Sequence, residues 1–284
     1  MNKKTTEKIW FTICGFFAFL TIAALGFLLF SIIKEGAHVL SWSFITEPPR
    51  KNMTEGGIWP ALVGTFYVAS LTILISVPVG IGAAIYLNEY AKQGPVVRVI
   101  RLSIRNLAGV PSIVYGLFGL AIFAAMLKLG TSLITAAITL AIMVLPWVIT
   151  ASEEALKAVP RSFREGGLAL GATKWQTIRQ LVLPSAIPGM ATGSILGLAR
   201  AAGETAPIIL TGAAYFLPVL PSSVRDGFMA LPYHLYILAT QHAQATAVRP
   251  IAYGTALVLI LLVVMLNSFA IILRNYYRRK NELL

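Results

Sequence analysis

The chain has 284 residues, 57% of them hydrophobic and only 12% charged, with a mean hydropathy of +0.77. Soluble domains carry about 25% charged residues, so this chain has too little charge to coat a water-facing surface, and lipid is its solvent. The net charge of +12 would suit a nucleic-acid partner if it formed one patch, but the basic residues lie in short connections between apolar runs, where cytoplasmic loops of membrane proteins collect Lys and Arg.

A spanning helix needs roughly 20 mainly apolar residues. After Lys3, Lys4 and Lys8 an uncharged run covers residues 10–33. It exceeds the roughly 7–15 residues of a signal-peptide apolar region, and no A-x-A site follows, so it reads as a retained helix. It holds Cys14, the single cysteine, so no intrachain disulfide is expected. A polar external connection, residues 34–55, sets this span apart. Further runs cover 58–87, 107–127, 129–152 and 250–273. A sixth candidate, near 185–213, is interrupted by Arg200 and Glu204. A second external connection, near 215–249, contains Pro218, Pro221 and Pro232, and residues 231–238 have the spacing of a short interfacial helix. His38, His234 and His242 fall in polar connections and offer no metal-site spacing.

Counted by side, residues 3–8, 92–105, 157–179 and 274–280 hold 16 of the 23 Lys and Arg residues, the alternate segments hold 6, and Arg200 is the remaining one. This asymmetry places both termini and the connections after spans two and four in the cytoplasm. An odd number of spans would separate the two basic termini, so the count supports six.

The connection at 153–184 is amphipathic and reads as two short helices. Pro160 ends what precedes it. Ser162 and Glu165 have capping-box spacing, Gly171 supplies a flexible or left-handed stop, Thr173 and Gln176 form a second capping box, and Pro184 closes that helix. Trp175, Ile178, Leu181 and Val182 share one face. Such a hairpin either rests on the membrane surface or docks a cytoplasmic partner. Gly166 and Gly171 have P-loop spacing, but Ala172 and Thr173 follow where the phosphate-binding Lys is required, so ATP binding by this chain is not expected.

This segment resembles the cytoplasmic signature of bacterial ABC-importer permeases: Glu-Ala-Ala, three residues, Gly, nine residues, Ile, one residue, Leu-Pro. Glu165, Gly166, Gly167, Gly171, Leu183 and Pro184 fit its register without a gap. Gly166 and Gly167 replace the alanines, and Leu181 replaces the isoleucine. The resemblance implies that this loop forms coupling helices seated in a groove of an ATPase subunit.

In the fifth span Gly189, Gly193 and Gly197 recur every four residues, a spacing that lets helices approach closely in lipid. Glu204 falls about 20° from Gly197 around the axis and Arg200 about 60°, so both charges are expected on or near the packed face. They form either an internal ion pair or part of an anion pathway, with guanidinium donors suited to phosphate oxygens. In the third span Pro111 and several glycines suggest a kinked, loosely wound start or ordinary packing flexibility.

Residues 106–119 and 199–207 resemble permeases of phosphate-specific importers, a similarity that runs from about Trp59 to the end. It implies an all-α integral membrane protein of six helices, with a type I ABC-importer permease core in spans two to six. Residues 1–57 form an N-terminal tail, first span and external loop; residues 58–284 form the permease domain. Implied partners are a second, related permease in a heterodimer, two copies of an ABC ATPase holding ATP and Mg, and an external phosphate-binding protein. The chain itself is expected to hold no cofactor and to catalyse no reaction. Arg200 and Glu204 would line the substrate pathway. Import of another oxyanion, molybdate or sulfate, and ion-coupled secondary transport are the rival readings.

Overall fold

A computed structural model describes residues 3–282. Helix α1 (Lys3–Ala37) leads through the short α2 (Trp42–Thr46) to an antiparallel ribbon of β1 (Pro49–Arg50) and β2 (Glu55–Gly56). Next come α3 (Trp59–Ile85), α4 (Pro95–Leu107), α5 (Ser112–Gly119) and α6 (Leu133–Ala158). A hairpin of α7 (Arg161–Ala169) and α8 (Lys174–Thr177) precedes α9 (Leu183–Gly203), α10 (Ala206–Thr211), α11 (Leu231–Thr240) and α12 (Ala245–Glu282). Wide π turns extend α3 (Tyr86–Tyr90) and α5 (Leu120–Met126) and join α8 to α9 (Ile178–Val182).

Among the described residues, five helices are long and apolar enough to cross a bilayer: Trp10–Ala37, Trp59–Tyr90, Leu133–Ala158, Lys174–Gly203 and Ala245–Phe269. The sixth crossing is a bent pair, Pro95–Leu107 with Ser112–Met126, which turns through 101°. The third span expected at 107–127 keeps its place but begins at Ser112, after the kink that Pro111 suggested. Leu107 closes α4, and Pro111, in extended geometry, redirects the chain into Ser112. The crossing piece, Ser112–Met126, rises only about 22 Å at 1.5 Å per residue, short of the roughly 30 Å hydrocarbon layer. The level of α4 is fixed by its contact with the cytoplasmic end of α6, where Arg101 Nε meets Glu153 Oε1 at 3.0 Å.

Helix α6 is the centre of the bundle. Its small and β-branched residues face α3 and α9, and Ala136, Ala137, Leu140, Val144 and Val148 are fully buried or nearly so. The glycine repeat of α9 performs the close approach that its spacing predicts: a Cβ at Gly189, Gly193 or Gly197 would collide with Ala155, Ala151 or Val144 of α6. On the opposite flank Gly80 of α3 meets Val148. The first turn of α6 leaves no donor bare. Ser132 Oγ accepts from Thr135 N, while the carbonyls of Asp226 and Val224 accept from Leu133 N and Ile134 N, so the external loop itself caps the helix.

The second external connection is not a surface appendage. Phe228, Met229, Ala230 and Leu231 are buried, and Leu231 N donates to Thr65 Oγ1 of α3 at 2.8 Å. The interfacial helix expected at 231–238 is therefore the buried α11, packed on α3 and α12. His234 lies in α11 and not in a polar connection, whereas His242 does lie in the turn between α11 and α12; both are buried. Helix α1 packs chiefly on α12, where Gly36 comes against the Tyr253 carbonyl, and its other faces are exposed.

Candidate functional site

The cytoplasmic hairpin differs from expectation at both ends. Helix α7 begins at Arg161 with Pro160 as its N-cap in extended geometry and no side-chain cap, so Ser162 and Glu165 form no capping box. Proline at the cap starts the helix one residue early and places Ser162 inside its first turn. At the other end, Pro184 does not close α8. The helix widens into the π turn Ile178–Val182 and runs on into α9, with Leu183 N donating to Ile178 O. The wide turn makes room for a ring that a regular α-turn rejects. Between these ends Gly171 takes φ +82, a left-handed stop, and Thr173 with Gln176 makes the expected reciprocal capping box.

Gly167 explains why the signature's second alanine is missing. A Cβ there would stand 2.7 Å from Thr177 Cγ2 and 2.8 Å from Thr177 Oγ1. The β-branched Thr177 occupies the space an alanine methyl would use, so the two helices close only over glycine. Gly166 has open space and Glu165 is exposed. Leu183 and Pro184 are half-buried at the root of α9. The apolar face expected at 175–182 splits: Ile178 and Val182 are buried, whereas Trp175 and Leu181 are exposed. With Phe163, Leu168 and Leu170 (89% exposed) they give the hairpin a bare apolar surface, of the kind that marks a protein or membrane contact.

The hairpin is fastened to the bundle by residues that the motif does not contain. Arg164 of α7 donates to Glu89 at the end of the second span, with Nη2 to Oε1 at 2.6 Å, and to the carbonyls of Leu156 and Val159 that end the fourth. Lys174 lies over the Tyr90 ring at 4.8 Å. Sequence reasoning missed Glu89: it is an acid next to the end of an apolar run, and its partner lies 75 residues away.

Arg200 and Glu204 form the intramembrane pair, with Nε to Oε1 at 3.4 Å. The fifth span ends sooner than expected: α9 stops at Gly203, Glu204 is its extended C-cap, and the chain restarts as α10 at Ala206, with Pro207 in its first turn. The Arg200 guanidinium also sits 5.4 Å from the Trp147 ring, midway along α6. Glu204 is largely enclosed, with 16% of its side chain exposed, but Arg200 is 43% exposed. Only Glu204 thus meets the expectation of a packed position; Arg200 opens off the glycine face onto a surface this chain does not cover. Behind the pair, α5 packs on α10 through Gly116 against Pro207 and Gly119 against Thr211, and on α6 through Gly119 against Thr139. The glycines of the third span thus serve close packing, in addition to the bend before them.

A bundle of this kind, with a helical hairpin at one end and a charged pair between its helices, matches known transport components. Residues 76–282 match the family model for the binding-protein-dependent transport system inner membrane component. A probable ABC transporter permease of Bacillus subtilis, YqgI, is 33% identical over 281 residues, covering 95% of both chains. The Mycobacterium tuberculosis phosphate transport system permease protein PstA 1 is 36% identical over 262 residues, covering 90% of this chain and 83% of its own. Among solved structures, a bacterial ABC transporter that imports the polysaccharide alginate superposes with a TM-score of 0.66 at 16% identity over 97% of this chain and 98% of that one. An inward-facing methionine ABC transporter gives 0.59 at 20% identity over 78% and 94%. The likeness to these structures shows a shared fold, and the sequence matches supply the rest: the chain is a multi-pass inner-membrane permease that belongs to the binding-protein-dependent transport system inner membrane component family.

Proposed function

We propose that this chain is one half of the translocation path of an ATP-driven phosphate importer. The observation that carries this is Arg200. A guanidinium at mid-membrane that is nearly half exposed in the single chain is too costly to face lipid, so its free side must meet a second subunit or water. A path between two permeases supplies both. Arg200 gives the anion planar donors, and Glu204 steadies Arg200 and weakens its hold enough for the anion to leave. The phosphate permease named above, which aligns over most of the chain, favours phosphate over molybdate or sulfate.

The partners follow from the same reading: a related permease completing a heterodimer, two ABC ATPases, and an external phosphate-binding protein. ATP and Mg belong to the ATPases. Glu165, Gly166, Gly167, Gly171, Leu183 and Pro184 belong to the ATPase-coupling element, and the bare apolar residues of the hairpin supply its contact surface. Residues 58–284 are the permease domain and residues 1–57 an accessory segment. Both termini lie in the cytoplasm. ATP binding draws the ATPases together, pulls the hairpins and opens the path to the binding protein; hydrolysis resets it.

The test is uptake of labelled phosphate by cells carrying Arg200→Gln. Uptake should fall at least tenfold while the complex still copurifies. Loss of assembly instead would make Arg200 a structural fastener, and competition by molybdate or sulfate at equal concentration would reassign the cargo.

A further inference from the structure

Helix α4 carries a second basic cluster, away from Arg200. Taking about 100° per residue, Arg98, Arg101 and Arg105 fall within an arc of roughly 60°. With Gln93 and Gly94 they line a cavity of about 260 Å³. Arg101 forms its wall: its Nε bonds Glu153 Oε1 at 3.0 Å, its Nη1 bonds Gln93 Oε1 at 2.8 Å and its Nη2 bonds the Leu87 carbonyl at 3.0 Å. Glu153 is shared with Lys157, 3.9 Å away. Arg98 and Arg105 have no ion-pair partner among the described residues. The site therefore holds an uncompensated positive charge.

The rest of α4 fixes its depth. Val97 is its buried contact with the bundle, while Val96, Val99, Ile100 and Leu107, on the side away from the arginines, are 40–70% exposed. An apolar arc opposite a basic arc is the pattern of a helix lying in the membrane interface. The short rise of Ser112–Met126 agrees with that depth. The preference of cytoplasmic loops for basic residues asks only for charge on this side. It does not ask for three guanidinium groups around one cavity, on a helix held at headgroup depth.

We propose that Arg98, Arg101, Arg105 and Gln93 form a site for the phosphate group of an anionic phospholipid of the cytoplasmic leaflet, the opposite apolar arc keeping α4 at the depth of the headgroups. Arg98 and Arg105 bind the phosphate. Arg101, held by Glu153 and the Leu87 carbonyl, sets the cavity's shape and ties the lipid's position to the ends of the second and fourth spans.

The purified transporter complex, in bilayers doped with photoactivatable phosphatidylglycerol, tests this by mapping the labelled peptides. Residues 93–107 should be labelled, roughly tenfold or more above the double variant Arg98→Gln/Arg105→Gln. The Arg98→Lys/Arg105→Lys variant should keep most of the label, and a photoactivatable phosphatidylcholine should label this peptide weakly. Equal labelling by phosphatidylcholine, or unchanged labelling in the Gln variant, would overturn the proposal. So would displacement of the probe by millimolar inorganic phosphate but not by chloride of equal ionic strength, which would make the cavity a site for the free anion. If the Gln variant does not assemble, the comparison of the two lipid probes on the native complex decides.

Discussion

Arg164 Nη2 stands 2.6 Å from Glu89 Oε1, with only 6% of the Glu89 side chain and 23% of the Arg164 side chain exposed. The pair joins α7 to the end of the second span, a helix with which the hairpin shares no short loop. Arg164 spends its other donors on the last carbonyls of the fourth span, and the π turn runs directly into the fifth. Force applied to the hairpin therefore reaches three spans at once, two through Arg164 and one through the chain itself.

Removing one partner of such an enclosed pair strands the other charge, at a cost of about 3 kcal/mol. Glu89→Ala should lower the melting temperature of the complex and raise the ratio of ATP hydrolysed to phosphate imported. Arg164→Lys should do nearly the same, because one ammonium cannot replace a planar fork that serves a carboxylate and two carbonyls. Paired ATPase and uptake measurements in proteoliposomes read the ratio; an unchanged ratio in both variants would mean that the pair does not transmit force.

A second expectation concerns the departure from the signature at Gly167. Gly167→Ala restores the common residue yet should destabilise the hairpin by about 1–3 kcal/mol, since the new methyl overlaps Thr177 and overpacking costs that much. Thr177→Ala removes both overlapping atoms, so the double variant should recover coupling, and with it ATPase stimulation by the loaded binding protein. A double variant as impaired as Gly167→Ala alone would show that the glycine serves something other than fit.

Much of this architecture was legible in the chain because it rests on local or periodic signals. Apolar runs marked the crossings, Gly189, Gly193 and Gly197 marked the face of α9 that meets α6, and Thr173 with Gln176 marked a cap. What escaped depends on partners distant in sequence. Pro111 marks a kink, but its size, 101°, and the place of the arginine-bearing α4 beside it emerge only from the contact of Arg101 with Glu153 on α6. The burial of α11 comes from Thr65 and Gly64, more than 160 residues earlier. The same limit applied at the sites: the Arg200–Glu204 pair is four residues apart and readable, whereas Trp147, Glu89 and Arg164 acquire their roles only when helices come together.

The seam between α6 and α9 offers a compensation test. Gly193→Ala should drive the two helices apart, because the new Cβ overlaps Ala151 Cβ, and should cost about 1–3 kcal/mol. Moving the methyl across the seam, Gly193→Ala with Ala151→Gly, keeps the volume and should restore most of the melting temperature. The loss should exceed that of Gly203→Ala, where the added carbon meets open space. Since alanine is the better helix former, propensity alone would make both changes neutral or favourable; equal losses at the two positions would show that fit at the seam does not govern the change.

The last prediction rests on His234 in α11, outside the spanning segments. Its ring is 2% exposed, and neither Nδ1 nor Nε2 has a hydrogen-bond partner among the described residues. Burial, with a smaller contribution from His242, pushes its pKa down from 6.5 to about 4. The native state thus binds fewer protons than the unfolded chain between those values, so stability is fully present above pH 6.5 and drains away as pH falls toward 4, by up to about 3 kcal/mol. His234→Leu replaces two unsatisfied polar atoms with apolar ones of similar bulk, which should leave stability at pH 7.5 equal or slightly higher. The difference in melting temperature between variant and native complexes should then widen in the variant's favour from pH 7 to pH 4.5, since all other carboxylates and histidines are common to both. A constant difference across that range would place the acid sensitivity elsewhere.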